Sequence, residues 1–141
     1  MPIDYIIDAN IIFSALMSGK VVYKTLFERY KCFSADYLFV EMERHKDIIL
    51  KKTKMDTAQF VPYAVSLFSN IGIIATMLLS TNAKQEAIRL CSKVDIDDFI
   101  YIALSIDFNA PLVTRDETLY EGLRKQKFKN IVLLQDVIDT L

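Results

Sequence analysis

The chain has 141 residues, 52% of them hydrophobic, with three glycines, three prolines and a net charge of −1. That length predicts one domain over residues 1–141, large enough to bury a substantial core. The composition excludes a disordered chain, and the near-neutral charge excludes one that grips nucleic acid through bulk positive charge.

Residues 3–7 are a short β-branched run, read as a buried strand. Asn10 is placed to cap a helix to about Met17, and Ser18-Gly19 breaks it. Val21 to Lys31 has helical spacing, and Cys32 to Ser34 reads as a very short second strand with Ser34 at an N-cap position. Asp36 to Lys52 is an amphipathic helix whose inner stripe is Tyr37, Leu38, Glu41, Met42, His45, Ile48 and Ile49. A carboxylate on that stripe is unusual, because desolvating it without a partner costs several kcal/mol.

Asp56 to Asn70 is the next helix, capped by Asp56 or Thr57, with a kink or break expected near Pro62. Ile71 to Ala75 is a strand, and Met77 to Leu79 fits either type. Thr81 or Asn82 caps a helix to about Ser92, facing Ala83, Ala87, Ile88 and Cys91 inward. Asp97 or Asp98 opens a strongly apolar helix to Ile106. Asn109-Ala110-Pro111 turns into a strand over 111–114. Helix 116–126, strand 130–134 and helix 135–141 complete the chain. Strands alternating with helices predict an α/β fold in three layers, α/β/α, around a parallel sheet of four to five strands.

Cys32 and Cys91 show no CxxC spacing and read as small buried hydrophobes in a reducing compartment. The longest apolar run, Ile71 to Leu79, is too short to span a bilayer, and no basic leader precedes the first strand. The expectation is a soluble, cytoplasmic protein with no membrane contact. Two basic clusters, Lys46/Lys51/Lys52/Lys54 and Arg124/Lys125/Lys127/Lys129, read as solvated helix faces. No exposed stripe stands out as an interface.

The chemistry lies in the acids. Two apolar runs stop at aspartates: Ile3 to Ile7 leads into Asp8, and Pro111 to Thr114 leads, one residue later, into Asp116. Ligands of open α/β sheets bind at the carboxyl ends of the strands, where strand order reverses. Asp98 opens an apolar helix and Glu41 faces inward from another, with Asp95 and Asp97 nearby. Each aspartate could simply cap a helix. Together they form a hard-oxygen set suited to Mg²⁺ or Mn²⁺, with phosphoryl chemistry as the consequence. The lone His45 leaves no zincin motif and reads as a locally bonded core residue. No GxGxxG or Walker A sequence is present, and the aromatics Phe13, Tyr23, Phe39, Tyr63, Phe99 and Tyr101 sit mostly at core spacings.

These residues resemble the PIN-domain family, which includes the VapC-type ribonuclease toxins. The opening Ile6-Ile7-Asp8-Ala9-Asn10-Ile11-Ile12-Phe13, the acidic helix Glu41-Met42-Glu43, the helix Asp98-Phe99-Ile100-Tyr101-Ile102-Ala103, and Val113-Thr114-Arg115-Asp116 fall in the family's order. The resemblance implies a PIN-like fold and a metal-dependent endoribonuclease. Asp8, Glu41, Asp98 and Asp116 would be its acidic set. Asp8, Asp98 and Asp116 would ligate Mg²⁺ or Mn²⁺, and Asn10 and Thr114 would support them. Asp97 competes with Asp98 for the third place, and Arg115, where many relatives carry a small residue, could touch substrate phosphate. The implied partners are RNA, a cognate antitoxin if the role is that of a toxin, and a second copy of the chain. A catalytically silent RNA-binding or scaffold domain is the alternative. A phosphatase or phospho-acceptor domain fits less well, because Asp8-Ala9-Asn10 lacks the second carboxylate that such sites carry.

Overall fold

The computed structural model describes residues 2–93 and 95–141. Five strands, β1 (Tyr5–Ile7), β2 (Cys32–Ala35), β3 (Ile71–Ile74), β4 (Leu112–Thr114) and β5 (Ile131–Leu133), form one wholly parallel sheet in the order β3-β2-β1-β4-β5. The helices are α1 (Ala9–Ser18), α2 (Val21–Arg29), α3 (Tyr37–Lys52), α4 (Thr57–Phe68), α5 (Thr81–Cys91), α6 (Phe99–Phe108), α7 (Glu117–Lys125) and α8 (Leu134–Ile138). Single 3₁₀ turns cover Thr76–Leu78 and Ile96–Asp98. The α/β class, the parallel sheet and the order of elements are those that the sequence pattern predicts.

β1 lies in the middle. Ile6 pairs with Phe33 on one side and Leu112 on the other, and Ile7 pairs with Val113. Ile6, Ile7, Leu112 and Val113 have no exposed surface, as expected of strands covered on both faces. The chain runs outward from β1 to β2 and β3, then crosses back to β4 and β5, so strand order reverses between β1 and β4. Right-handed crossovers then place α1–α4 on one face and α5–α7 on the other. The packing agrees: α1 lies on α3 and α4, α2 on α4, and α5 on α6. At the β3 edge, Phe33 of β2 lies across its register partner Gly72, whose missing Cβ leaves room for the ring. Among the described residues, no helix is long and apolar enough to cross a membrane.

Several local expectations change. Of the two caps the sequence offers for α1, Asn10 and Asp8, it is Asp8 whose carboxylate accepts the Ile11 N–H. Ser34 is inside β2, where its hydroxyl donates to the Ile7 carbonyl at 2.7 Å; Asp36 precedes α3 without a side-chain cap bond. α4 runs unbroken through Pro62, starting from a reciprocal Asp56–Gln59 capping box. Ser80 caps α5, with Leu90 buried in place of Ile88, which is 49% exposed. The ambiguous stretch after β3 is a 3₁₀ turn.

The inner face of α3 is narrower than its periodicity implies. Only Leu38 and Ile49 are fully buried, and His45 and Ile48 face solvent with Phe39, Val40 and Leu50. A helix pattern reports which residues share a face, but not how closely that face packs. The lysines and Arg124 of both basic clusters are exposed, and Cys32 and Cys91 are free and buried.

Candidate active site

The carboxyl rim of β1 and β4 is where the acids gather. Asp8 follows β1 directly and is 3% exposed. Its Oδ1 accepts the Ile11 N–H at 3.2 Å and so caps α1. Burial pushes its pKa up to about 7; the Ile11 and Asn10 N–H groups and the Thr114 hydroxyl oppose that rise, and the charge of Glu41 adds to it. The other buried polar side chains among the described residues, Ser34, Ser105 and Thr114, are neutral. Asp8 is therefore the buried residue with a charge to lose.

Asp116 stands two residues beyond β4 and is exposed. Its Oδ1 accepts the Leu119 N–H at 3.1 Å to cap α7, while its own N–H donates to Thr114 Oγ1 at 3.0 Å. The fully buried Thr114 thus fixes the turn that carries Asp116 and also attends Asp8.

Asp98 closes the 3₁₀ turn ahead of α6 and makes no side-chain cap bond. Its carboxylate has no capping work. Burial, followed by the charges of Asp8, Asp95, Asp116 and Glu41, lifts its pKa to about 7. Glu41 is half-buried on α3; burial raises its pKa, a hydrogen bond from the Tyr101 hydroxyl at 2.5 Å opposes the rise, and Asp97 adds to it. Four carboxylates separated in sequence therefore share one electrostatic neighbourhood. They do not converge on a point: among the described residues, no three His, Cys, Asp or Glu side chains form a group that could hold an ion as it stands.

The supporting residues divide. Asn10 is exposed and reaches Asp8 through its backbone. Asp97 is exposed, and its N–H donates to Asp95 Oδ1 at 3.0 Å. Arg115 is exposed and donates to the Ser14 hydroxyl of α1. It also lines a small cavity of about 130 Å³ with Thr114, Leu133, Leu134 and Gln135. His45 is not a core residue: it is exposed, its Nδ1 lies 2.9 Å from the Glu41 carbonyl oxygen, and its ring sits 5.0 Å from that of Phe13. The apolar groove of about 430 Å³ between α1, α3 and α4, lined by Leu16, Phe39, Met42, Ile49 and Phe60 among others, includes none of the four carboxylates.

Three neighbours of the rim carry roles that the sequence does not announce. Tyr101 bonds Glu41, Ser14 holds Arg115, and Asp95 presses on Asp98. Two of them left a signal: Tyr101 lies three residues after Asp98 and so on the same helix face, and Asp95 stands in the acidic run that leads into α6.

The chain matches the model of the PIN domain over residues 6–136. None of the curated proteins matches it. Among solved structures it is similar to a toxin–antitoxin complex from Klebsiella pneumoniae, at 19% identity and a TM-score of 0.61, covering 92% of this chain and 96% of that one. It is also similar to PAE2754 from Pyrobaculum aerophilum, at 14% identity and a TM-score of 0.67, covering 98% of this chain and 88% of that one. At such identities the two structures speak for the fold. The match to the family, over nearly the whole chain, identifies it: this chain belongs to the PIN-domain family, whose members are generally nucleases.

Proposed function

We propose that this chain is a Mg²⁺- or Mn²⁺-dependent endoribonuclease acting at the carboxyl rim of β1 and β4. The observation that carries the reading is electrostatic crowding: burial and the charges of Asp8, Asp95, Asp116 and Glu41 together lift Asp98 to about 7. Like charges that raise one another's pKa across a shared rim are relieved by a divalent cation. The donors are all carboxylate oxygens, which suits a hard ion. Asp8, Asp98 and Asp116 would hold it. Bound there, the ion supplies Lewis acidity, lowering the pKa of water and neutralising charge at a phosphodiester.

The chain's own residues divide the remaining work. Asp8 and Asp116 each use Oδ1 as a helix cap, which fixes both carboxylates in place. Thr114 holds the turn to Asp116, and the Asn10 N–H supports Asp8. Glu41 orients the attacking water. Arg115, exposed beside the rim, meets a substrate phosphate, and Asp97 borders Glu41. Assay of wild type and Asp8→Asn on RNA, with Mn²⁺ and with chelator, tests this. Wild type should cleave only with Mn²⁺, and the variant should be slower by at least about a hundredfold. Equal cleavage by both proteins would end the reading.

The biological role we infer is that of a toxin paired with an antitoxin, acting in the cytoplasm; the likeness to a toxin–antitoxin complex supports it. A homodimer fits the same role. The second reading, a silent PIN-like scaffold or RNA-binding domain, draws on the carboxylates' failure to converge. Calorimetric titration with Mn²⁺ separates the two: the nuclease reading requires the ion to bind, whereas a silent scaffold need not bind it at all.

A further inference from the structure

Tyr101 carries a hydroxyl into the buried face of an otherwise strongly apolar helix. It is 2% exposed and lies on α6, one turn after Asp98. Its hydroxyl donates to Glu41 Oε1 at 2.5 Å, across a sequence separation of 60 residues. Among the described residues it is the one hydrogen-bond donor to that carboxylate. α3 and α6 lie on opposite faces of the sheet, so this bond ties the two helical layers together at the rim.

Glu41 needs such a tie. Its carboxylate ends a flexible side chain, is half-buried, and feels the charges of Asp8, Asp97 and Asp98, against which His45 and Arg44 on its own helix act without bonding it. Left loose, it would swing towards water, where its charge is better solvated. A buried tyrosine ring, fixed by packing, presents its hydroxyl at one place, and a hydrogen bond to a carboxylate is a strong one.

We propose that Tyr101 is the positioning residue for Glu41, its hydroxyl holding Oε1 so that Oε2 works from a fixed position. The proposal rests on the nuclease reading above, and deepens it. Tyr101→Phe keeps the ring and removes the hydroxyl. With Mn²⁺ and RNA, it should lower kcat about tenfold and leave KM unchanged. The double variant Tyr101→Phe/Glu41→Gln should be no slower than Glu41→Gln alone, because the tyrosine acts through the glutamate. Losses that multiply, or a Tyr101→Phe enzyme with wild-type kcat, would overturn the proposal. A crystal structure of Tyr101→Phe adds a readout independent of activity: Glu41 should leave its wild-type position, and a Glu41 that stays put counts against the idea. If wild type and Asp8→Asn cleave alike, the nuclease reading falls, while the crystal structure still decides whether Tyr101 fixes Glu41.

Discussion

The middle of the sheet and its carboxyl rim are one residue apart and obey opposite rules. Ile6 and Ile7 are wholly buried among apolar neighbours, and their burial stabilises the fold. Asp8 is next in the chain and almost as deeply buried, yet among the described residues no basic side chain pairs with its carboxylate. The same contrast recurs on α6: Leu104 is fully buried, while Asp98 at the helix entrance is pressed by four other acids. One region is arranged for stability. The other accepts electrostatic strain, as sites built for chemistry commonly do.

Exchanging the two kinds of residue would break that contrast most sharply. Asp98→Asn removes a charge that caps nothing, so cleavage should fall by about a thousandfold while the thermal midpoint at pH 8 does not drop. A large loss of stability in this variant would mean that Asp98 belongs to the scaffold. Leu104→Ala should do the reverse, costing on the order of 3 kcal/mol in urea unfolding and leaving kcat of the folded fraction near wild type. A smaller effect follows from pH. Asp8 and Asp98 titrate near 7 when folded against 3.8 in the free side chain, so between those values the folded chain holds protons that the unfolded one has lost. The contribution of these two carboxyls to stability in chelator is therefore fullest below about pH 4 and is lost as pH rises through 7. Melting curves from pH 5 to 8 should show that decline, and Asp8→Asn should flatten it. The mildest change is Asp56→Ala, which removes an exposed cap at α4. It should cost about 1 kcal/mol and leave cleavage untouched, separating a cap that only stabilises a helix from the cap made by Asp8.

The sequence made some of this legible and hid the rest for physical reasons. The strands β1 and β4 were readable because buried parallel strands are continuous apolar runs, and Asp8 and Asp116 end those runs in plain view. The order of elements followed from apolar period together with caps and the breaks at Ser18-Gly19 and Asn109-Ala110-Pro111. The depth of packing did not: His45 and Ile48 share the α3 face with Ile49, yet only Ile49 is buried. The pattern offers both Asp8 and Asn10 as caps of α1, and only the structure shows that Asp8 takes the place, because neighbouring polar residues compete for the same N–H groups. The bond from Tyr101 to Glu41 joins residues on two faces of the sheet, and no local pattern reports such a meeting. The gathering of Asp8, Glu41, Asp98 and Asp116 needed a fold to bring four distant segments to one rim.

Gly72 has a consequence for anyone who would re-engineer this edge. Its register partner Phe33 already fills the volume that a side chain at 72 would take. Substituting either residue alone leaves a collision or a hole, so the two positions must be redesigned jointly, as a single unit of shape shared between β2 and β3.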